Sequence, residues 1–71
     1  MVTQFVDSDF ITGLGYDQPS QIMQIDFVSG DIWQFLEVPE EVYQDFLAAH
    51  SIDKYYFHYI KGKYRGEQIN F

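Results

Sequence analysis

Two strand-like runs separated by a pair of small residues constrain the fold of this chain most. Residues 21–28 and 31–38 are both rich in β-branched, aromatic and other apolar side chains, and Ser29-Gly30 lies between them. Runs of this kind joined by a small residue and a glycine predict a β-hairpin with a two-residue loop. The loop length in turn fixes which side chains share a face of the hairpin.

A two-residue loop at Ser29-Gly30 predicts one apolar and one polar face. The loop would place Phe27 opposite Ile32, Ile25 opposite Gln34 and Met23 opposite Leu36. Because side chains alternate across a strand, these six residues would share one face. Because five of these six are apolar, this face is predicted to cover the core. The opposite face would then present Trp33 and Phe35, two residues apart, among Gln24, Asp26 and Glu37.

The segments around the hairpin extend it at both ends. Residues 10–16 are β-rich but contain Gly13 and Gly15, which predicts a short, bent strand that ends in a turn at residues 17–20. Pro39 ends the third strand and suits the first turn of a helix, where Glu40 and Glu41 match the positive end of the helix dipole.

Apolar residues at helical spacing then predict two helices. The first covers residues 40–50, and Ser51 is a candidate N-cap for a second that ends near Gly62. The order β-β-β-α-α predicts an α+β fold, namely a three-stranded antiparallel β-meander followed by two α-helices. With 71 residues, the chain is expected to form a single domain over residues 1–71.

Composition indicates which interactions stabilise such a small domain and in which cellular compartment it is expected to function. The chain has no cysteine, which excludes disulfides and thiolate metal sites, but it contains 7 Phe, 6 Tyr and 1 Trp. Aromatic burial is therefore the expected source of stability. The N-terminus lacks the basic and apolar blocks of a signal peptide and no apolar run could span a bilayer, so a cytoplasmic location without membrane contact is expected.

Charge is unevenly distributed along the chain. Residues 1–53 contain ten acidic side chains and no Lys or Arg, whereas residues 54–71 contain all 4 basic side chains and one acid, Glu67. An acidic field repels phosphate backbones and favours basic partners. The basic stretch of Lys61, Lys63 and Arg65 could either contact a phosphate or complement the C-terminal end of a helix dipole.

No motif for catalysis, a cofactor or a metal is present. His50 and His58 are eight residues apart, whereas a helical metal-binding pair is four apart. Gly13-x-Gly15 is not followed by the Lys-Ser/Thr of a phosphate loop. No nucleophile lies beside a base, and the adjacent acids fit solvent-exposed positions. The sequence predicts no catalytic, cofactor-binding or metal-binding residues and a non-enzymatic protein.

The order of several short motifs resembles the KTSC domain. These motifs are Ser8-Asp9, Ile11, Leu14-Gly15-Tyr16-Asp17, Trp33-Gln34-Phe35, Val38-Pro39, Val42-Tyr43, Ala49-His50-Ser51, Tyr55-Tyr56 and Ile60. The KTSC domain occurs alone in bacterial proteins and at the C-terminus of some lysyl-tRNA synthetases. The chain differs from the family pattern at Trp33 and Phe35, which stand at the positions of two tyrosines, and at Asp53 and Phe57. The resemblance implies no established activity and suggests RNA binding.

Together these features predict a small binding module for a protein or an RNA. The candidate partner-binding residues are Trp33, Phe35, Lys61, Lys63 and Arg65. An alternative for the aromatic pair is that the second helix, or the C-terminal stretch ending in Phe71, covers it. Two other functions remain open: an acidic decoy that mimics nucleic acid towards a basic protein, and self-assembly through an uncovered sheet edge. A monomer or a small homo-oligomer is expected.

Overall fold

The computed structural model describes residues 3–70, which adopt an α+β fold with a five-stranded antiparallel sheet. The strands are β1 (Thr3–Phe5), β2 (Ile11–Asp17), β3 (Ile22–Phe27), β4 (Ile32–Phe35) and β5 (Gly66–Gln68), and they are adjacent in the sheet in that order. Two helices, α1 (Glu40–Ala48) and α2 (Ile52–Tyr55), follow β4, and a π-helix over Tyr56–Ile60 continues α2. The α+β class is confirmed, but the three-stranded meander omits the two edge strands.

Both omitted strands are only three residues long and depend on a neighbour. β1 pairs with β2 through Thr3, Gln4 and Phe5. β5 returns after the helices to pair with β4, with Gly66 opposite Phe35 and Gln68 opposite Trp33. Gly66–Gln68 has little β-propensity of its own, so tertiary packing rather than local sequence determines this strand.

The loop of the central hairpin contains three residues, not two. Phe27 N donates a hydrogen bond to Asp31 O at 2.9 Å and Gly30 N donates to Phe27 O at 2.9 Å, which leaves residues 28–30 as the loop. Gly30 has φ +98° and therefore takes the left-handed position that closes a three-residue hairpin loop. The predicted two-residue loop at Ser29-Gly30 is wrong by one residue.

The one additional loop residue shifts the register of β4 relative to β3, so that each β4 side chain lies on the face of the sheet opposite to the predicted one. Phe35 lies opposite Met23 and Trp33 lies opposite Ile25, so both aromatics share the apolar face. Ile32 and Gln34 take the other face, opposite Asp26 and Gln24. The predicted pairings of Phe27 with Ile32, Ile25 with Gln34 and Met23 with Leu36 are therefore wrong. This register keeps the Gln34 amide out of the core and puts two large rings into it.

Both helices pack on the apolar face of the sheet. The core consists of Ile11, Leu14, Met23, Ile25, Phe35, Val38, Tyr43, Phe46, Ile52 and Ile60. Pro39 precedes α1, and Glu40 and Glu41 occupy its first turn as expected. Ser51 caps α2, since its hydroxyl accepts a hydrogen bond from Lys54 N at 3.2 Å. No helix within residues 3–70 is both long and apolar enough to cross a bilayer.

The loop between β1 and β2 is tied to α2 by a polar link. Ser8 Oγ accepts hydrogen bonds from the backbone N–H groups of Phe10 and Ile11, both at 3.2 Å, and donates one to the Asp53 carboxylate. The second Asp53 oxygen accepts from Asp9 N at 3.3 Å. The loop is therefore held against α2 through Ser8 and Asp9.

The π-helix widens the last turn before the chain returns to the sheet. Lys61 N donates to Tyr56 O at 2.8 Å, the five-residue spacing that defines this geometry. Gly62 then adopts φ +77°, which ends the helical segment as predicted and directs residues 63–65 towards β5.

The absence of a side chain at Gly66 should be required for β5 to lie beside β4. A Cβ atom at Gly66 would come within 2.6 Å of Phe35 Cε1, and the Phe35 ring is only 5% exposed. Gly66→Ala is therefore expected to destabilise the protein by about 1–3 kcal/mol, as overpacking does elsewhere. Urea denaturation measures this change.

Phe35→Leu provides the matched test, because it removes the ring that the new methyl group would contact. The two substitutions should couple, so that Gly66→Ala costs less in the Phe35→Leu background than in the wild type. Strictly additive effects would show that the ring and the glycine do not meet.

Candidate functional site

Trp33 and Phe35 do not stand on an open polar face. Phe35 belongs to the core, and Trp33 is half-buried against it. Tyr56 of the π-helix packs edge-on against Phe35, with ring centroids 6.4 Å apart. The prediction of an outward aromatic pair is wrong, and the alternative that the second helical segment covers it fits better. The other proposed cover, Phe71, lies outside the described residues.

The face that the helices leave uncovered is instead a hydrogen-bonded polar surface. Gln34 Nε2 donates to Gln24 Oε1 at 3.3 Å, and Gln24 Nε2 donates to Asp26 Oδ1 at 3.2 Å. Thr12 Oγ1 donates to Asp26 O at 3.2 Å. This row satisfies its own polar groups and carries no basic side chain, so it is a poor surface for a phosphate backbone.

The two aromatics instead line a groove between β4, β5 and the segment that follows the π-helix, which we call the Trp33 groove. It has a volume of about 320 Å³ and is lined by Trp33, Phe35, Tyr56, Lys61, Gly62, Tyr64 and Gly66. The Trp33 and Phe35 rings are stacked with centroids 6.4 Å apart. Gly66 of β5 lies directly against the Phe35 ring, which is only 5% exposed, so the open wall of the groove is formed mainly by its other side chains.

The basic candidates divide between this groove and its neighbour. Lys61 lines the Trp33 groove and also lies over the Phe57 ring, with Nζ 5.3 Å from the centroid. Lys63 and Arg65 line an adjacent depression together with Glu37. Tyr64 lines both this depression and the Trp33 groove. Arg65 and Glu67 form an exposed ion pair with a 3.7 Å N–O distance. The structure thus brings Trp33, Phe35 and Lys61 together and places Lys63 and Arg65 next to them.

Four residues that line the Trp33 groove were not predicted as site residues: Tyr56, Gly62, Tyr64 and Gly66. Tyr56 lies within the predicted second helix and Gly62 at its predicted end, and Tyr64 and Gly66 lie in the stretch that contains the basic side chains. The π-helix and β5 bring these residues to the groove, and no strong local sequence pattern predicts either element. Alternation of Lys63, Tyr64 and Arg65 after Gly62 was the one available hint of a strand.

The two histidines share a separate shallow depression. His50 and His58 line it with Ser51, Lys54 and Tyr59. Among residues 3–70, no group of three or more His, Asp or Glu side chains is arranged to hold a metal ion. Nothing in this depression assembles a base beside a nucleophile.

Packing affects the phenol groups of two tyrosines, namely Tyr43 in the core and the partly buried Tyr56, which lines the groove. Burial raises the pKa of the Tyr43 phenol and that of the Tyr56 phenol. Tyr43 donates a long hydrogen bond to Leu14 O at 3.4 Å and stacks on Tyr16 with centroids 5.0 Å apart. Both phenols are therefore favoured in their neutral form by the packed state.

Comparison with known proteins assigns a family to this arrangement. The KTSC domain model matches residues 7–64. A protein of Tsukamurella paurometabola is 37% identical over 62 residues, which cover 87% of this chain and 92% of that protein. The crystal structure of a KTSC domain protein from Yersinia pestis superposes with a TM-score of 0.94 at 33% identity and covers 97% of each chain.

Longer relatives contain the same region as a small part. Lysine–tRNA ligase from Nostoc punctiforme is 31% identical over 64 residues, which cover 90% of this chain but 11% of the ligase. The ligase from Trichormus variabilis matches in the same way, at 30% identity and 11% of its length. These matches confirm the resemblance seen in the sequence motifs.

We expect stability to fall at alkaline pH because of the buried phenols. A raised pKa means that the folded protein retains the phenol proton at a pH where the unfolded chain has lost it. The free energy of unfolding should thus be fully maintained below the ordinary tyrosine pKa of about 10 and fall as pH rises through the raised value. Urea midpoints at increasing pH measure this dependence.

Tyr56→Phe is the informative variant, since it removes one of these phenols and keeps the ring. It should leave stability at neutral pH nearly unchanged and reduce the loss above about pH 10. An alkaline loss as steep as that of the wild type would show that Tyr56 does not contribute.

Proposed function

Because the chain belongs to the KTSC domain family, which is a small module and not a catalytic family, we propose that it is a non-enzymatic binding module. Its binding site is the Trp33 groove together with the adjacent basic side chains Lys63 and Arg65. Its ligand is an unpaired segment of RNA, with a base in the groove and phosphates at the rim.

One observation carries this proposal: the aromatic and basic candidates meet on one surface. Three of the four Lys and Arg side chains of the chain line the Trp33 groove or the depression that shares Tyr64 with it. Aromatic rings contribute about 1–3 kcal/mol per stacked base, and lysine and arginine neutralise phosphates. An unpaired nucleic acid strand offers both groups at once.

The relatives support RNA over other anionic ligands. Several are named as lysine–tRNA ligases, whose substrates include an RNA, and a region similar to nearly all of this chain lies within them. In those proteins the region accounts for 11% of the length, so the ligase activity itself is not transferred to this chain.

The charge distribution limits the strength of such binding. The net charge is −7, and Glu37 and Glu67 lie beside the basic side chains. At most three cations can reach phosphates, which predicts a log–log salt slope of about −2 for a single strand. Affinity is therefore expected to be moderate and to depend on low ionic strength.

The alternative of a nucleic-acid mimic has less support because the acids do not form a row. Asp26 lies on the uncovered sheet face, Glu40 and Glu41 lie in α1, and Asp31 follows the hairpin loop. A decoy for a basic protein needs carboxylates at regular intervals on one exposed face.

Trp33 is the only tryptophan, so its fluorescence reports directly on the groove. Titration of a mixed-sequence single-stranded RNA oligonucleotide at low salt should quench or shift the emission, because a base would stack beside the indole. The same oligonucleotide annealed into a duplex should bind more weakly, since its bases are not available.

Two charge-matched variants distinguish groove binding from general attraction. Lys61→Ala should weaken binding and reduce the magnitude of the salt slope by about 0.7, whereas Lys54→Ala, which removes a cation outside the groove, should change neither. Absence of binding at low salt, or equal effects of the two substitutions, would contradict the proposal.

A further inference from the structure

A second groove lies on the other side of Tyr56 from the Trp33 groove and has a different character. We call it the Phe57 groove; Phe27 and Tyr56 line it together with Phe10, Val28 and Phe57, and its volume is about 380 Å³. Phe10, Val28 and Phe57 are 53%, 57% and 47% exposed. They make up half of the large apolar side chains that residues 3–70 leave exposed, and an apolar cluster of this kind is typical of an interaction site.

The side chains that line this groove are held in place by backbone hydrogen bonds and by contacts between their rings. Phe10 N donates to Ser8 Oγ at 3.2 Å, and Val28 N donates to Phe10 O at 2.8 Å, which fixes one wall to the hairpin. The Phe10 and Phe57 rings meet edge-on with centroids 5.8 Å apart, and Phe27 meets Tyr56 at 5.5 Å. Because its backbone supports are hydrogen-bonded, the groove is preorganised for an occupant.

The Phe57 groove is acidic at one end. Asp9 lines it, and the Asp53 carboxylate accepts a hydrogen bond from Asp9 N at 3.3 Å. The loop that carries Asp9 also contains the exposed Asp7. Within residues 3–70, no Lys or Arg side chain lines this groove; Lys61 lines the Trp33 groove, with its Nζ 5.3 Å from the Phe57 ring centroid. An anionic ligand would be repelled here, and a cationic one attracted.

We propose that the Phe57 groove docks a lysine- or arginine-rich polypeptide segment that inserts one large apolar side chain. Burial of such a side chain supplies the driving force, and the basic flanks complement the acidic end and accelerate association. This site is distinct from the proposed RNA groove but adjacent to it, because Tyr56 lines both grooves and Lys61 of the Trp33 groove lies over the Phe57 ring. Self-docking would use residues 61–65, the one basic stretch of the chain, and is an outcome that the test distinguishes.

Three synthetic peptides of equal length test the proposed chemistry. The first carries a central leucine between Lys and Arg residues, the second has serine in place of leucine, and the third keeps leucine between glutamates. In heteronuclear NMR titrations of the labelled protein, the first peptide should shift the amide signals of Phe10, Val28, Ser29 and Phe57. Its affinity should exceed that of each of the other two by about tenfold or more.

Matched variants test the location. Phe57→Ser should reduce the affinity for the first peptide by about tenfold, whereas Phe5→Ser, at a side chain that is 91% exposed outside the groove, should leave it unchanged. Asp9→Asn should weaken binding more than Glu41→Gln, which removes an acid from the first turn of α1. A well-dispersed spectrum confirms that each variant folds.

Three results would overturn the proposal. The first is equal binding of all three peptides, which would remove the requirement for an apolar anchor with basic flanks. The second is a pattern of shifted amides outside the groove. The third is concentration-dependent dimerisation that shifts the same groove amides without peptide, which would make a second copy the occupant.

Discussion

A left-handed glycine in the central hairpin determines the arrangement of the rest of the molecule. Gly30 at φ +98° closes a three-residue loop, and that loop length places Trp33 and Phe35 on the apolar face of the sheet. The Phe35 ring then fills the core beneath the π-helix, and its outer edge lies over Gly66 of β5. A loop shorter by one residue would place Gln34 in the core and leave both rings in solvent.

Tyr56 has a comparable role for the surface. It packs edge-on against both Phe27 and Phe35, and it lines the Trp33 groove on one side and the Phe57 groove on the other. The π-helix makes this possible, because the extra residue in its turn presents consecutive aromatics in several directions. The two grooves differ in charge, and the division of the chain into an acidic part and a basic end explains the difference.

The sequence predicted the elements whose signals are local. Pro39 with the following acids, the Ser51 cap and the Gly62 stop each act within one helical turn, and both helices were predicted from them. The register of β4 was not predictable in this way, because both faces of this segment carry apolar side chains. Ile32 and Leu36 point to one face, and Trp33 and Phe35 point to the other. The conformation of Ser29 distinguishes the two registers. A two-residue loop of type I′ or II′ needs a positive φ at Ser29, whereas the only non-glycine residues with a positive φ among residues 3–70 are Gln21 and Glu37. The site was predicted only in part. Its aromatic and basic residues were identified, but the segments that bring them together depend on tertiary packing and were not.

Cross-strand proton contacts in the central hairpin test this account most directly. In an antiparallel pair, the non-hydrogen-bonded partners have the closest α-protons. The observed register predicts strong nuclear Overhauser effects between the α-protons of Gln24 and Gln34 and between those of Asp26 and Ile32. Contacts between Ile25 and Gln34 and between Phe27 and Ile32 instead would establish the two-residue loop, return Trp33 to the open face and contradict the account.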